Sequence, residues 1–214
     1  MTTIALFGAT GKTGRRVLAR ALEAGHRVRA LVRDPARLDP AVAASDRLTV
    51  VAGDVLDPDA VDRTVAGSDA VLALFGQVKG SPPTLQADGT RLIARSMERH
   101  GVRRIVTLSG GGLRDESNDR PKPADRVIRG LLQLLSGHVL ADAEAHLDVL
   151  RGTDLDWTVV RGPRLTEQPG RGSYRVGWVG VGTGTQISRD DLADFVLTQV
   201  DDRRFVRAMP FVSA

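Results

Sequence analysis

Seven residues near the N-terminus, Gly8-Ala9-Thr10-Gly11-Lys12-Thr13-Gly14, space three glycines as G-x-x-G-x-x-G. Each glycine has a physical task. Gly8 permits a sharp turn, Gly11 leaves room for an anion to approach the backbone, and Gly14 permits a helix to pack closely on a strand. Free N–H groups at a helix start, reinforced by the helix dipole, favour negative charge there. Thr10, Lys12 and Thr13 can add donors. The chemistry suggested is the holding of a dinucleotide diphosphate; a structural turn without a ligand is the alternative. A P-loop does not fit, because the G-x-x-x-x-G-K-[ST] spacing is absent.

Further along, Val32-Arg33 closes a second apolar run, where the ribose of an adenosine would sit. A carboxylate at that point accepts from a 2′-hydroxyl, whereas an arginine receives a 2′-phosphate. Arg33, with Arg37 one turn on, can grip a phosphate through parallel hydrogen bonds, so NADP(H) is the expected cofactor. Asp34-Pro35 reads as a helix start, with the aspartate capping rather than binding ribose. Gly53-Asp54-Val55 lies where an adenine could rest, with Asp54 either reaching its exocyclic amine or capping local N–H groups. Leu74-Phe75-Gly76 ends a strand, and Gly76 would let the backbone pass close to a cofactor.

These residues need a frame, and the hydrophobic pattern supplies one. Short apolar runs at 4–7, 28–32, 48–51, 70–75, 104–108 and 157–161 read as buried strands, with helical spacing at 12–24, 58–66 and 84–100 between them. Asp57-Pro58 is a helix start and Gly67 a stop. Strand–helix alternation with short links predicts a Rossmann-like α/β fold, a doubly wound parallel sheet with helices on both faces. The later half is less regular. A polar, proline-containing loop or lid is expected at 114–123 and a helix at 124–151, broken near Ser136-Gly137. Glycine-rich loops with short strands around Tyr174 and Trp178 should follow over 162–186, then a helix capped by Ser188, and a last strand within 205–212. The expectation is one domain over 1–214, with a cofactor half at about 1–110 and small, irregular substrate-side elements at about 110–214.

Bulk properties exclude several classes. With 214 residues, 42% hydrophobic and 26% charged, the chain can bury a real core. No cysteine is present, which removes disulfides, thiolate metal sites and a cysteine nucleophile. The formal net charge of +4 raises nucleic-acid binding, but the arginines are scattered among acids. Five phenylalanines, two tryptophans and one tyrosine offer no stacking platform. No nucleic-acid partner, no membrane span and no secretory signal are expected, so the cytoplasm is the default location. The histidines, His26, His100, His138 and His146, lack metal-ligand spacing, so no metal site is expected. Glu144 and His146 are weaker acid–base candidates, with surface or structural roles as the alternative.

The segments Gly8–Gly14, Leu31-Val-Arg-Asp-Pro-Ala-Arg-Leu38, Val51-Ala-Gly-Asp-Val-Leu56, Asp62–Val71 and Ile187-Ser-Arg-Asp-Asp-Leu192 together resemble a family. It is that of the atypical short-chain dehydrogenase/reductases with NmrA-like NAD(P)H-binding domains, and the resemblance is strongest to its flavin reductase (biliverdin reductase B) branch. The resemblance covers most of the chain, more tightly in the cofactor half than over 110–185. It implies NADPH lying across the strand ends and hydride transfer to flat conjugated acceptors. By position, Thr10, Gly11, Thr13, Arg33, Asp54, Val55 and Gly76 match cofactor contacts in that family. Ser109 matches a serine near the nicotinamide and substrate. Arg161-Gly162-Pro163-Arg164 matches a stretch lining the nicotinamide pocket, with Arg164 where the flavin reductases carry a histidine.

The Tyr-x-x-x-Lys pair of the better-known short-chain dehydrogenases is missing. The single tyrosine is Tyr174, Trp178 stands four residues on, and the lysines are Lys12, Lys79 and Lys122. Alcohol oxidation and sugar epimerisation are therefore disfavoured. Hydride transfer to a flavin- or quinone-like acceptor asks mainly for positioning, with Ser109 as the candidate hydrogen-bonding group near the acceptor. The partner expected is a small planar acceptor, and the assembly a monomer or homodimer. Two other readings stand beside this one: a non-catalytic NADP(H) sensor of NmrA type, and a structural factor that has kept the fold.

Overall fold

The computed structural model describes the backbone of residues 1–214 and the side chains of all but 124–129 and 131–136. In chain order the elements are β1 (Thr3–Phe7), α1 (Gly14–Glu23), β2 (Arg27–Val32), a 3₁₀ turn (Pro35–Arg37), α2 (Pro40–Ala43), β3 (Leu48–Ala52), α3 (Pro58–Val65), β4 (Ala70–Ala73), α4 (Leu85–His100), β5 (Arg104–Gly110), α5 (Pro123–Arg151), β6 (Asp156–Gly162), β7 (Arg164–Thr166), β8 (Arg175–Gly177), β9 (Gln186–Ser188), α6 (Arg189–Thr198) and β10 (Phe211–Ser213).

The main sheet has eight strands in the order β3-β2-β1-β4-β5-β6-β10-β8, and β7 pairs with β9 in a separate parallel ribbon. The strand order reverses beside β1, between β2 and β4. This is the switch point at which doubly wound sheets open a crevice at the carboxyl ends of their strands. All pairings in the main sheet are parallel except β10 with β8. The fully parallel sheet expected from the sequence thus acquires an antiparallel edge strand.

Side-chain alternation assigns the two layers. Along β1, Ile4 and Leu6 join the core under α1 and α6, which also contains Val17, Leu18, Leu192 and Val196. Ala5 and Phe7 join the opposite core with Val61, Ile93, Met97 and Leu150, under α3, α4 and α5. Each central strand is buried on both faces, which explains its continuous apolar character.

The local signals act as written. Asp57 Oδ1 accepts from the N–H groups of Asp59 and Ala60, with Pro58 opening α3. Asp34 Oδ1 accepts from Ala36 N at 3.1 Å. Ser188 Oγ accepts from Asp191 N at 2.9 Å and donates to Asp191 Oδ2 at 2.8 Å.

Three expectations need correction. Helix α5 runs through Ser136 and Gly137 without a break; one interior glycine costs a helix only about 1 kcal/mol, which the rest of a 29-residue helix can absorb. The last strand is confined to Phe211–Ser213, because residues 201–208 are mostly turns that meet β6 through a bridge from Thr158 to Ala208 and separate hydrogen bonds such as Thr158 Oγ1 to Phe205 O, not through a continuous ladder. The polar 114–123 segment is no loose lid, since a buried ion pair fastens it to β6, as described below.

Candidate functional site

The glycine turn is held by sterics on every side. Gly8 has φ +88°, and a Cβ there would lie 2.8 Å from the backbone of Leu74 and Phe75. A Cβ on Gly14 would fall 2.0 Å from Gly8 O. At Gly11 the same test gives 3.2 Å, a milder constraint, and its N–H donates to Gly8 O at 3.0 Å. The turn therefore presses α1 against the β1–β4 strand ends. Thr13 occupies the N-cap position of α1 without a capping side-chain bond, and the first turn of α1 contains no acidic residue. The positive end of the helix dipole is left for an anion.

A cleft opens beside this turn at the switch point. It is lined by Gly8, Thr10 and Gly11 from the turn, Arg33 and Arg37 after β2, Gly53, Asp54 and Val55 after β3, and Leu74, Phe75 and Gly76 after β4. Four strand ends apart in sequence thus meet on one rim, because parallel strands all present their carboxyl ends to the same side. The guanidinium groups of Arg33 and Arg37 are exposed and make no ion pair or hydrogen bond among the described residues. Asp34 is turned aside onto Ala36 N.

Asp54 Oδ1 accepts from Leu56 N at 2.9 Å, so the capping reading of this residue holds; the residue still faces the cleft. A Cβ on Gly53 would come within 2.4 Å of Ala60 Cβ, so glycine there lets α3 close on β3. A Cβ on Gly76 would meet nothing nearer than Gln86 Nε2 at 4.0 Å, so there is open space beside this residue. Phe75 leans over Gly89 of α4, where a Cβ would clash with its ring at 2.8 Å.

Sequence reasoning missed the next part of the wall. Val78, Ser81 and Leu85 also line the cleft, and the segment carrying them is fastened by Asp142 of α5. This buried carboxylate accepts from Gln86 N and Ala87 N, both at 2.9 Å, and from Gln77 Nε2 at 2.7 Å. Asp142 thereby caps α4 from another helix, while the N-cap residue Thr84 makes no side-chain cap bond. No local sequence signal marks a cap supplied 55 residues downstream.

Lys12, Thr13, Gly14, Ser109 and Pro163 do not line this cleft. Thr13 and Gly14 are buried behind the turn, and Lys12 pairs with Glu167 at 3.2 Å. Ser109 lies at the carboxyl end of β5, and its Oγ is enclosed with no hydrogen-bond partner. A buried hydroxyl without a partner is costly, and this one stands two strands from the glycine turn, on the side away from Arg33. Pro163 is half-buried between β6 and β7. Arg164 is exposed and donates to Gln186 Oε1 at 2.9 Å.

Arg161 explains the pinned loop. It is fully buried, donates to both oxygens of Asp119 at 2.7 and 2.9 Å, and adds bonds to Leu113 O and Met209 O, each at 2.8 Å. Asp119 also accepts from Asp115 N and Val179 N. These donors hold its carboxyl below the usual range, against the opposing effect of burial. The pair ties β6 to residues 113–119 and to the turn at Val179, and so frames the space beyond Ser109.

His146 is 2% exposed, with Nδ1 on Thr90 Oγ1 at 2.7 Å and Nε2 on Thr107 Oγ1 at 3.1 Å. Burial pushes its pKa down to about 4, with Asp142 opposing weakly. It is a neutral strut between α4, α5 and β5 rather than a free acid–base group. Glu144 is exposed on α5. Among the described residues no group of His, Asp and Glu is arranged to hold a metal ion, and no helix is long and apolar enough to cross a membrane.

Comparisons with known proteins agree with this geometry. A family profile described as NAD(P)H-binding matches residues 8–203. The UPF0659 protein C216.03 of Schizosaccharomyces pombe is 26% identical over 211 residues, covering 92% of this chain and 83% of its own. A short-chain dehydrogenase/reductase from Veillonella parvula DSM 2008, solved in complex with NADP, superposes with a TM-score of 0.81 at 19% identity, covering 100% of this chain and 94% of that one. ChuY, an anaerobilin reductase from Escherichia coli O157:H7, superposes with a TM-score of 0.78 at 18% identity, covering 99% and 97%. The glycine turn, the cleft at the switch point and the matched length lead to one conclusion: the chain belongs to the NAD(P)H-binding family.

Proposed function

We propose that this protein is an NADPH-dependent reductase that passes hydride to a flat conjugated acceptor such as a flavin or quinone, on the flavin reductase-like, NmrA-like side of its family. The observation that carries the cofactor choice is the pair of unpartnered guanidinium groups, Arg33 and Arg37, on the rim of the cleft. Two free cations at the end of β2, with Asp34 engaged elsewhere, suit a 2′-phosphate rather than a 2′-hydroxyl. In the same arrangement Thr10 and Gly11 line the place of a diphosphate between the tight glycines Gly8 and Gly14, with Thr13 at the helix start and Lys12 as further donors. Asp54 and Val55 flank an adenine. Leu74, Phe75 and Gly76 offer backbone without a side chain in the way.

A reduced nicotinamide supplies two electrons and a proton as hydride. The protein's own contribution on that side is placement. Pro163 and Ser109 would border the nicotinamide end, and Ser109 Oγ, without a hydrogen-bond partner among the described residues, would donate to the acceptor. The proton that completes the reduction comes from solvent or through that hydroxyl. Holding donor and acceptor in register is the main source of acceleration for such a step. That one fold neighbour is named an anaerobilin reductase fits an extended conjugated acceptor.

Steady-state NADPH oxidation with FMN, FAD and small quinones tests this. Turnover with at least one acceptor is expected, and Ser109→Ala should lower kcat by roughly tenfold, the worth of one hydrogen bond to a developing charge, with the Kd for NADPH unchanged. Tight NADPH binding without turnover on any acceptor would refute the reductase and leave an NADP(H) sensor.

A further inference from the structure

The loop that follows β7 and the start of α6 are brought together by strand register. In the β7–β9 ribbon Thr166 pairs with Ser188, so the next residues, Glu167 and Arg189, stand side by side. Their side chains meet at 2.9 Å. Helix α6 packs on α1, which carries this pair to the glycine turn. There Glu167 also meets Lys12 at 3.2 Å and Arg16 at 3.1 Å. Arg189 reaches past it to donate to Thr13 Oγ1 at 3.3 Å. Thr13 is the N-cap residue of α1, whose start no side chain caps and whose first turn carries no acid.

We infer that Arg189 and Lys12 form a cationic wall of the diphosphate site whose resting counter-ion is Glu167, so that a bound dinucleotide takes over cations now held by a carboxylate. This rests on the proposed cofactor reading and names residues of the same site. Three features carry it. Arg189 is within hydrogen-bond reach of the residue that opens α1, although 176 positions away in sequence. Four cations, Lys12, Arg16, Arg20 and Arg189, surround only two carboxylates, Glu167 and Asp190, so positive charge is in excess. Glu167 is half exposed and sits on a loop, so it can move aside. Asp190, by contrast, locks Arg16 and Arg20 on the helix flank and leaves Lys12 and Arg189 to Glu167. The carboxylate screens the wall and repels an arriving diphosphate while holding the cations in place. Binding therefore loosens the 167–172 segment from the turn.

The test is a set of titrations of the full chain with NADPH, NADH and 2′-AMP at fixed ionic strength. The last carries the adenosine-side phosphate but no diphosphate. Glu167→Gln keeps the shape and removes the charge. It is expected to tighten NADPH and NADH by the same factor, roughly three- to tenfold for one partly screened charge, and to leave 2′-AMP unchanged. Arg189→Gln should weaken both dinucleotides alike, and Glu167→Gln should then gain little in the Arg189→Gln background. A Glu167→Gln protein that binds both dinucleotides no better than wild type, or more weakly, overturns the inference, since Glu167 would then be a clasp that helps the site. A gain confined to NADPH overturns it as well, because the charge would then act at the 2′-phosphate. If the wild-type chain binds none of the three ligands, the cofactor reading itself fails, a result distinct from the other two.

Discussion

Replacing Arg33 by alanine separates a phosphate-reading site from a generic dinucleotide cleft. A 2′-phosphate brings between one and two negative charges near neutral pH, and Arg33 and Arg37 are the groups on the rim able to meet it. A hydrogen bond to a charged partner contributes about 1.5–3 kcal/mol. Both guanidinium groups are exposed, so solvent and salt screen them and the lower end applies. Arg33→Ala should then raise the Kd for NADPH about tenfold, at about 1.4 kcal/mol per decade. The Arg33→Ala/Arg37→Ala double variant should raise it further, though not by the full product of the single effects, because both groups share one phosphate. NADH has no phosphate there and should lose no more than about twofold, leaving the discrimination between the cofactors nearly abolished. Fluorescence or calorimetric titration of both cofactors at matched ionic strength measures this, and the wild-type advantage for NADPH should itself shrink as salt rises. Equal losses for NADPH and NADH would show that the phosphate is not held at the end of β2, and no loss for either would remove the adenosine from this cleft.

Three further outcomes follow from the buried groups. His146 titrates at about 4 in the fold against 6.5 when free, so the unfolded chain binds its proton first. Its contribution to stability is intact above pH 6.5 and is lost as pH falls towards 4, by up to about 3 kcal/mol; urea melts across that window should show the decline, and His146→Gln should flatten it. Asp119→Ala strands the buried Arg161 guanidinium and should cost about 3–5 kcal/mol, whereas joint replacement by Arg161→Met and Asp119→Leu should recover most of it, which a double-mutant cycle of thermal melts will reveal. Gly14→Ala places a Cβ on top of Gly8 O and should abolish dinucleotide binding together with much of the stability, while Gly67→Ala, which meets no atom within 4 Å, should cost only the strain of its positive φ, about 1–2 kcal/mol; a melt and an NADPH titration of both variants compare them directly.

Most of the cofactor rim could be read from the chain before any coordinates. The glycine turn, the Asp57-Pro58 start of α3 and the Ser188 cap of α6 involve atoms within a few residues of one another, so residue type and spacing suffice. The strand runs were legible because burial on both faces demands unbroken apolar residues. The opposite side of the cleft was not legible. Val78 and Ser81 carry no motif, and the carboxylate that fixes their segment lies on α5. Arg164 pairs with Gln186 at the surface, and a lid suggested by polar composition is bolted down through Asp119.

The sequence by itself determined where the chain must turn and cap, which runs must be buried, and hence a doubly wound sheet with a glycine turn at the start of α1. Only the tertiary structure decided which of the many arginines are free. Arg33 and Arg37 face the cleft without partners among the described residues, Arg161 is consumed by Asp119, and Arg189 shares Glu167 with Lys12. The physical reason is range. Steric and capping demands are settled over a few residues of backbone, whereas a charge is satisfied by whichever opposite charge the folded topology brings near it, here across as many as 174 positions between Arg16 and Asp190.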